Sequence, residues 1–249
     1  GMIDYHPYDV RISGETEVNA HNIERIEANC QGKTTIRFVT MGDSQRWYDE
    51  TEDFVKEINK RNDIDFVIHG GDMSDFGLTK EFLWQRDIMN GLNVPYVVLI
   101  GNHDCLGTGA ETYKAVFGPT NFSFIAGNVK FVCLNTNALE YDYSEPVPNF
   151  TFMEQEITSR LDEFEKTVIS MHARPYTDVF NDNVAKVFQH YIRQYPGIQV
   201  CTAAHTHHYQ DDVIFDDGIH YVTSDCMDYR TYLVFTITPE KYEYELVKY

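Results

Sequence analysis

Five times along this chain a short apolar run stops abruptly at small, carboxylate, amide or imidazole residues, and this recurrence constrains the fold more than any other feature. The run at 35–41 ends in Gly42-Asp43-Ser44-Gln45, that at 66–69 in Gly70-Gly71-Asp72-Met73-Ser74-Asp75, and that at 94–100 in Gly101-Asn102-His103-Asp104. A fourth run at 167–171 leads into His172, and a fifth at 198–203 into Ala204-His205-Thr206-His207. Short apolar runs bounded by glycine read as buried strands. In open α/β sheets ligands bind beyond the carboxyl ends of strands, so the five segments can meet on one rim.

Between these runs, helical spacing predicts helices over 50–61, 79–92, 110–117, 152–164 and 183–194, with a short one over 23–30. Strand and helix in alternation argue for an α/β fold with neighbouring parallel strands. The runs at 122–126 and 129–135, joined by Gly127-Asn128, predict a hairpin, so part of the sheet is antiparallel. Runs at 209–215, 220–224, 232–238 and 242–247 read as a closing meander. The inventory predicts two mixed β-sheets flanked by helices on their outer faces. Residues 1–33 read as a polar lead-in and 34–249 as a single domain; 139–148, rich in tyrosine, acidic residues and proline, reads as a loop overhanging a site.

Net charge enters where partners are concerned. At −19 the chain is set against long polyanions, because nucleic-acid binding draws on lysine and arginine set against phosphates. A small anionic substrate is compatible with that charge if metal ions supply the local positive field. Five scattered cysteines without a C-x-x-C pair read as reduced, mostly buried thiols. No run approaches the roughly 20 apolar residues that span a bilayer. No basic-then-apolar leader opens the chain, which makes the cytoplasm the default compartment and leaves export open if a leader was removed. Gly1 ahead of Met2 reads as a leftover of expression cloning.

The polar residues at the strand ends form a mixed nitrogen and oxygen donor set, which suits manganese, iron or zinc. One carboxylate can bridge two ions while the other groups complete each shell. Gly42, Gly71 and Gly101 permit sharp turns and close backbone approach. Singly, each donor has a structural explanation: Asp43 and Asp72 as helix caps, Asn102 as a turn residue, His172 as a satisfied buried histidine. Five motifs in order at strand ends outweigh those readings.

In that order, GDSQ, GGDMSD, GNHD, the strand ending in His172, and AHTH resemble the five motifs of the calcineurin-like metallophosphoesterase superfamily. The resemblance implies a four-layer αββα sandwich and a two-metal hydrolase of phosphate esters. It implies that Asp43 and His207 hold one metal, that Asn102, His172 and His205 hold the other, and that Asp72 bridges them. His103 is implied outside the metal shell as general acid, with Asp75 placed to orient and charge-stabilise it. A hydroxide between the ions, which in such sites stand about 3.5–4 Å apart, would attack phosphorus in line.

Two positions depart from the pattern. Gln45 stands where the family usually has histidine, a neutral and weaker ligand than imidazole. Ala204 stands where glycine is usual, which puts the closeness of that backbone to the metals in question. Arg46, Trp47 and Arg174 adjoin the motifs as substrate contacts, whereas His208 is read as structural. The expected substrate is a small phosphomonoester or phosphodiester. Phe76 in place of arginine, and GNHD rather than GNHE, argue against a protein Ser/Thr phosphatase. The chain is too short for a two-domain nucleotidase, and its charge disfavours a repair nuclease. The rival reading, kept alive by Gln45, is a metal-binding protein that retains the fold with weak or no activity.

Overall fold

The computed structural model describes residues 12–138 and 145–249. Its strands are β1 (Ile36–Met41), β2 (Phe66–His69), β3 (Tyr96–Val98), β4 (Phe122–Ala126), β5 (Val129–Leu134), β6 (Lys166–Met171), β7 (Ile198–Ala203), β8 (Gln210–Val213), β9 (His220–Thr223), β10 (Thr231–Ile237) and β11 (Tyr242–Lys248). Its helices are α1 (Val18–Cys30), α2 (Tyr48–Asn59), α3 (Thr79–Met89), α4 (Gly109–Val116), α5 (Phe150–Thr158) and α6 (Ala185–Ile192). Five strands form one sheet in the order β11-β10-β1-β2-β3, and six form the other in the order β4-β5-β6-β7-β9-β8. Both are mixed: β1, β2 and β3 run parallel, as do β5, β6, β7 and β9, while β10, β11, β4 and β8 pair antiparallel.

Side-chain alternation along the strands builds the layers. Phe38, Phe66, Ile68, Leu233 and Phe235 pack with Phe124, Phe131, Val168 and Val200 in the core between the sheets. Their neighbours Val39, Met41, Val67, Tyr232 and Val234 pack with Phe54, Phe82 and Tyr113 of the helices on the first sheet. On the outer face of the second sheet, Val132, Ile169 and Cys201 meet Met153, Phe188 and Ile192. The result is the expected αββα sandwich. Phe131 lies edge-on to Phe38 at 4.9 Å and to Phe66 at 5.0 Å, the offset geometry that aromatic quadrupoles favour.

Several boundaries differ from the sequence expectation. The closing run is not one meander: β8 and β9 extend the second sheet, whereas β10 and β11 return to the first. Helix α5 ends at Thr158 rather than at 164, because the buried Lys130 ammonium takes the carbonyls of Glu156 and Ser159 at 2.6 and 2.7 Å and closes the helix there. Helix α6 is shortened by a 3-10 turn at Asp182–Val184. Helix α1 begins at Val18 rather than 23, and its side chains serve the edge strand β3. Asn19 accepts from Val98 N–H and donates to Val98 O, both at 2.9 Å, and Asn22 accepts from Tyr96 N–H at 3.0 Å. An exposed strand edge is thereby sealed by side-chain amides. Of the loop read at 139–148, residues 139–144 lie outside the described residues, as does the lead-in up to residue 11. All five cysteines are buried. Among the described residues no helix is long and apolar enough to cross a membrane.

Candidate metal centre

The loops after β1, β2 and β3 and after β6 and β7 converge at the carboxyl ends of the strands, and backbone hydrogen bonds lash them together. Asp43 N–H donates to Gly71 O at 2.9 Å, Gln45 N–H to Asp72 O at 3.0 Å, and Ala204 N–H to His172 O at 2.8 Å. Gly101 must lack a side chain, since a Cβ there would fall 2.2 Å from Asp72 Oδ1. Ala204, at the position usual for glycine, fits because its methyl lies against Gly42 and Gly70, where an added Cβ on either would meet it at 3.1 or 3.0 Å.

Each central carboxylate is used asymmetrically. Asp43 Oδ2 accepts from His205 N–H at 3.0 Å, and Asp72 Oδ1 from His103 N–H at 2.9 Å. Their other oxygens, Asp43 Oδ1 and Asp72 Oδ2, together with Gln45 Oε1, are buried and accept no well-formed hydrogen bond. Buried polar atoms are ordinarily paired, so the unpaired oxygens of Asp43, Asp72 and the neighbouring Gln45 indicate missing partners. Ligand-type atoms of Asp72, His172 and His205 lie within 4.8 Å of one another, and so do those of Asp43, Asp72 and His207. Asp72 belongs to both groups, the geometry of a bridge.

The imidazoles are set by their outer hydrogen bonds. His172 Nδ1 donates to Gly70 O at 2.7 Å, which turns Nε2 toward Asn102 Oδ1 at 3.0 Å and Asp72 Oδ2 at 3.2 Å. His205 engages the Asp178 carboxylate through Nε2, which leaves Nδ1 facing Asn102 Oδ1 at 3.1 Å. His207 Nε2 lies 3.8 Å from Asp43 Oδ1. Burial, with the neighbouring His172 adding to it, lowers His205, and burial also lowers His207, so both are neutral donors. Burial opposes protonation of His172 as well, but Asp72 and Asp43 override it and raise that imidazole to about 9. Burial drives Asp43 well up, whereas His172 brings Asp72 below the usual carboxylate range in spite of burial.

Around this centre the structure places the other expected residues unevenly. His103 Nδ1 lies 2.8 Å from the backbone carbonyl of Asp75, not from its carboxylate. The carboxylate instead accepts from Arg46 Nη2 at 3.1 Å, so Asp75 holds the ring through its main chain and its side chain serves the arginine. Arg174 does not open toward the centre. It donates to Pro175 O at 2.9 Å and approaches Asp212 at 3.5 Å. His208 packs on Tyr229, ring centroids 5.5 Å apart.

Three residues escaped the sequence reading. Asp104, fully buried in GNHD, accepts from the N–H groups of Asp72, Gly101 and Ser74 at 2.9, 2.9 and 3.0 Å, joining two loops. Burial, aided by Asp72, raises it to about 6. His69, the last residue of β2, accepts from Gly71 N–H at 3.0 Å and lies 2.8 Å from Ser44 Oγ; burial lowers it to about 3 and keeps it neutral. Asp178 sits in a loop without periodic signal. Only Asp104 carried one, as a carboxylate inside a motif.

A helix-flanked pair of mixed sheets with two candidate metal-holding groups at the strand ends defines the fold and site of this protein. A family model for the calcineurin-like phosphoesterases matches residues 36–209, more than half of the chain, and the protein belongs to that family. It is a metal-dependent phosphoester hydrolase, and the family implies two divalent metal ions. Solved structures share the fold at low identity. A dimetal phosphatase from Danio rerio aligns at 12% identity with a TM-score of 0.66, covering 86% of this chain and 97% of its own. GAP50, the anchor in the inner membrane complex of Plasmodium, aligns at 11% identity with a TM-score of 0.64, covering 87% and 85%. A putative 5'-nucleotidase from Staphylococcus aureus aligns at 13% identity with a TM-score of 0.60, covering 86% of this chain and 54% of its own. No curated protein matches the sequence.

Proposed function

We propose that the protein hydrolyses a small phosphomonoester or phosphodiester at a centre of two ions, manganese, iron or zinc. Asp43, Gln45 and His207 hold one ion, Asn102, His172 and His205 the other, and Asp72 both. The observation that carries the reading is the trio of orphaned buried oxygens, Asp43 Oδ1, Asp72 Oδ2 and Gln45 Oε1. Among them the Gln45 amide oxygen, buried and unpaired, supports ligation by the glutamine of the first motif. Ions bound there supply Lewis-acid polarisation of the phosphate and acidify water.

The remaining work falls to the protein. Because a carbonyl can only accept, the hydrogen bond from His103 to Asp75 O keeps a proton on Nδ1. The exchangeable proton therefore resides on Nε2, and His103 delivers it to the departing oxygen as general acid. Arg46, held by Asp75, is a cation for the substrate phosphate.

Metal analysis combined with turnover of aryl phosphate monoesters and diesters tests the reading. Two bound ions and hydrolysis of either ester are expected, with loss of both in Asp72→Ala. A metal-loaded protein inert to both ester types sinks it and favours the binding-protein reading, a role of the kind that the name of the Plasmodium structure describes for that protein. Gln45→His adds a second arm: unchanged metal stoichiometry and rate mean that glutamine already serves.

A further inference from the structure

One wall of the centre carries aromatic groups that the chemistry itself does not require. It can be followed contact by contact from a metal-side histidine to the proton donor. His207 meets the Trp47 ring edge-on, centroids 5.8 Å apart at 81°. The Arg46 guanidinium carbon lies 5.6 Å from the Trp47 ring centroid. Arg46 grips the Asp75 carboxylate, and the Asp75 carbonyl holds His103. The next residue, Phe76, leaves 65% of its surface exposed.

This exposure is not the slack of a loose loop. The backbone N–H groups of Asp75, Phe76 and Leu78 all donate to the buried Glu81 carboxylate at 2.9–3.1 Å. Gly77 is wedged against Leu106, where a Cβ would fall 2.2 Å from the carbonyl oxygen. Trp47 is likewise anchored: its N–H donates to Ser44 O at 2.8 Å, and one flank leans on the helical core. Two aromatic side chains are thus presented from rigid backbone, one of them, Trp47, beside the Arg46 guanidinium.

We infer that Trp47, Arg46 and Phe76 form a subsite for a planar aromatic group carried by the leaving alcohol of the substrate. The inference rests on the reading of His103 as the acid at the departing oxygen, because what that oxygen bears then lies on the His103 side of the centre. Flat π systems are recognised by stacking on aromatic faces and by a nearby guanidinium, with little demand on hydrogen-bond pattern. An aryl ring and a nucleobase share that chemistry.

Two substrate pairs separate these sources on the manganese-loaded protein: 1-naphthyl phosphate against phenyl phosphate, and AMP against ribose 5-phosphate. The larger ring is expected to gain on the order of ten-fold in kcat/KM, carried by KM, and the ratio is expected to fall toward one in Phe76→Ala and in Trp47→Leu. A gain for naphthyl alone assigns the subsite to aryl esters, and a gain for AMP as well to nucleobases. Ratios that are the same in the wild type and in Phe76→Ala, whose exposed ring can be removed without unfolding the chain, overturn the subsite.

A binding readout keeps this outcome apart from failure of the hydrolase reading. The chain has two tryptophans, so Trp84→Phe leaves Trp47 as the sole indole. Phenylphosphonate, which cannot be hydrolysed, should then quench its fluorescence at lower concentration than methylphosphonate. That difference supports the subsite even if no ester is turned over. An equal response to the two overturns it.

Discussion

His172 Nε2 stands 3.2 Å from Asp72 Oδ2, both groups sealed from solvent, and the carboxylate favours a proton on that imidazole. The imidazole holds that proton up to about 9 against an ordinary value of 6.5. Because the folded value is raised, the pair's stabilisation is fully present below about 6.5 and is lost as pH rises through 9. The metal-free protein should therefore melt at progressively lower temperature across that window. A metal at this position must displace the proton, so calorimetric titration with Mn2+ near pH 7.5 in buffers of different ionisation enthalpy should report proton release. Heats independent of the buffer would show that His172 is not a ligand.

His103 and Asp75 should separate in a way that the motif pattern does not suggest. His103→Ala is expected to lower kcat on alkyl phosphates by about 10²–10⁴-fold, with much less effect on esters of acidic phenols that need no protonation. Asp75→Asn keeps the main-chain carbonyl that holds the ring, so its loss should be far smaller and should appear in KM through the released Arg46. Equal losses in both variants would return the Asp75 carboxylate to the role of orienting the imidazole.

Asp178 is 81% exposed, yet its carboxylate fixes which nitrogen of His205 faces the centre. Asp178→Ala should weaken metal binding at the His172 and His205 side by about 10–100-fold, measured by competition with a chelator. Affinity unchanged within error would reduce the contact to a surface ion pair.

Asn19 seals the β3 edge through both polar atoms of Val98. Asn19→Leu leaves the Val98 N–H unpaired, whereas Val98 O keeps the Tyr113 hydroxyl, at a cost of about 1–3 kcal/mol for the buried donor. Urea denaturation should show a lowered midpoint with an unchanged slope.

The sandwich was legible because its strands are short apolar runs with sharp polar ends, and because the alternation of Phe38 with Val39, or Leu233 with Val234, assigns each strand two buried faces. Asp43, Asp72, Asn102, His172, His205 and His207 were legible for a related reason: a donor placed just after a buried strand has one rim to occupy. The sheet chosen by the last four strands was not, since local pattern marks a strand without naming its partner. Nor was the turning of the Asp75 carboxylate toward Arg46, or the arrival of Asp178 at His205. Both depend on loop paths that no periodicity encodes. Gln45 could be read as a departure, but not the burial of its side chain with the amide oxygen unpaired.

The backbone at Asp43, Asp72, His205 and His207 is left-handed, with φ of 48°, 59°, 75° and 69°. Left-handed backbone costs an L-residue with a side chain roughly 1–2 kcal/mol. Four such residues side by side mean that the centre is held in shape by the sandwich beneath it and against its own local preferences. Heat resistance and catalysis are therefore opposed at these positions. Variants chosen for thermal survival alone should accumulate glycine or asparagine there and shed the carboxylate and imidazole groups first.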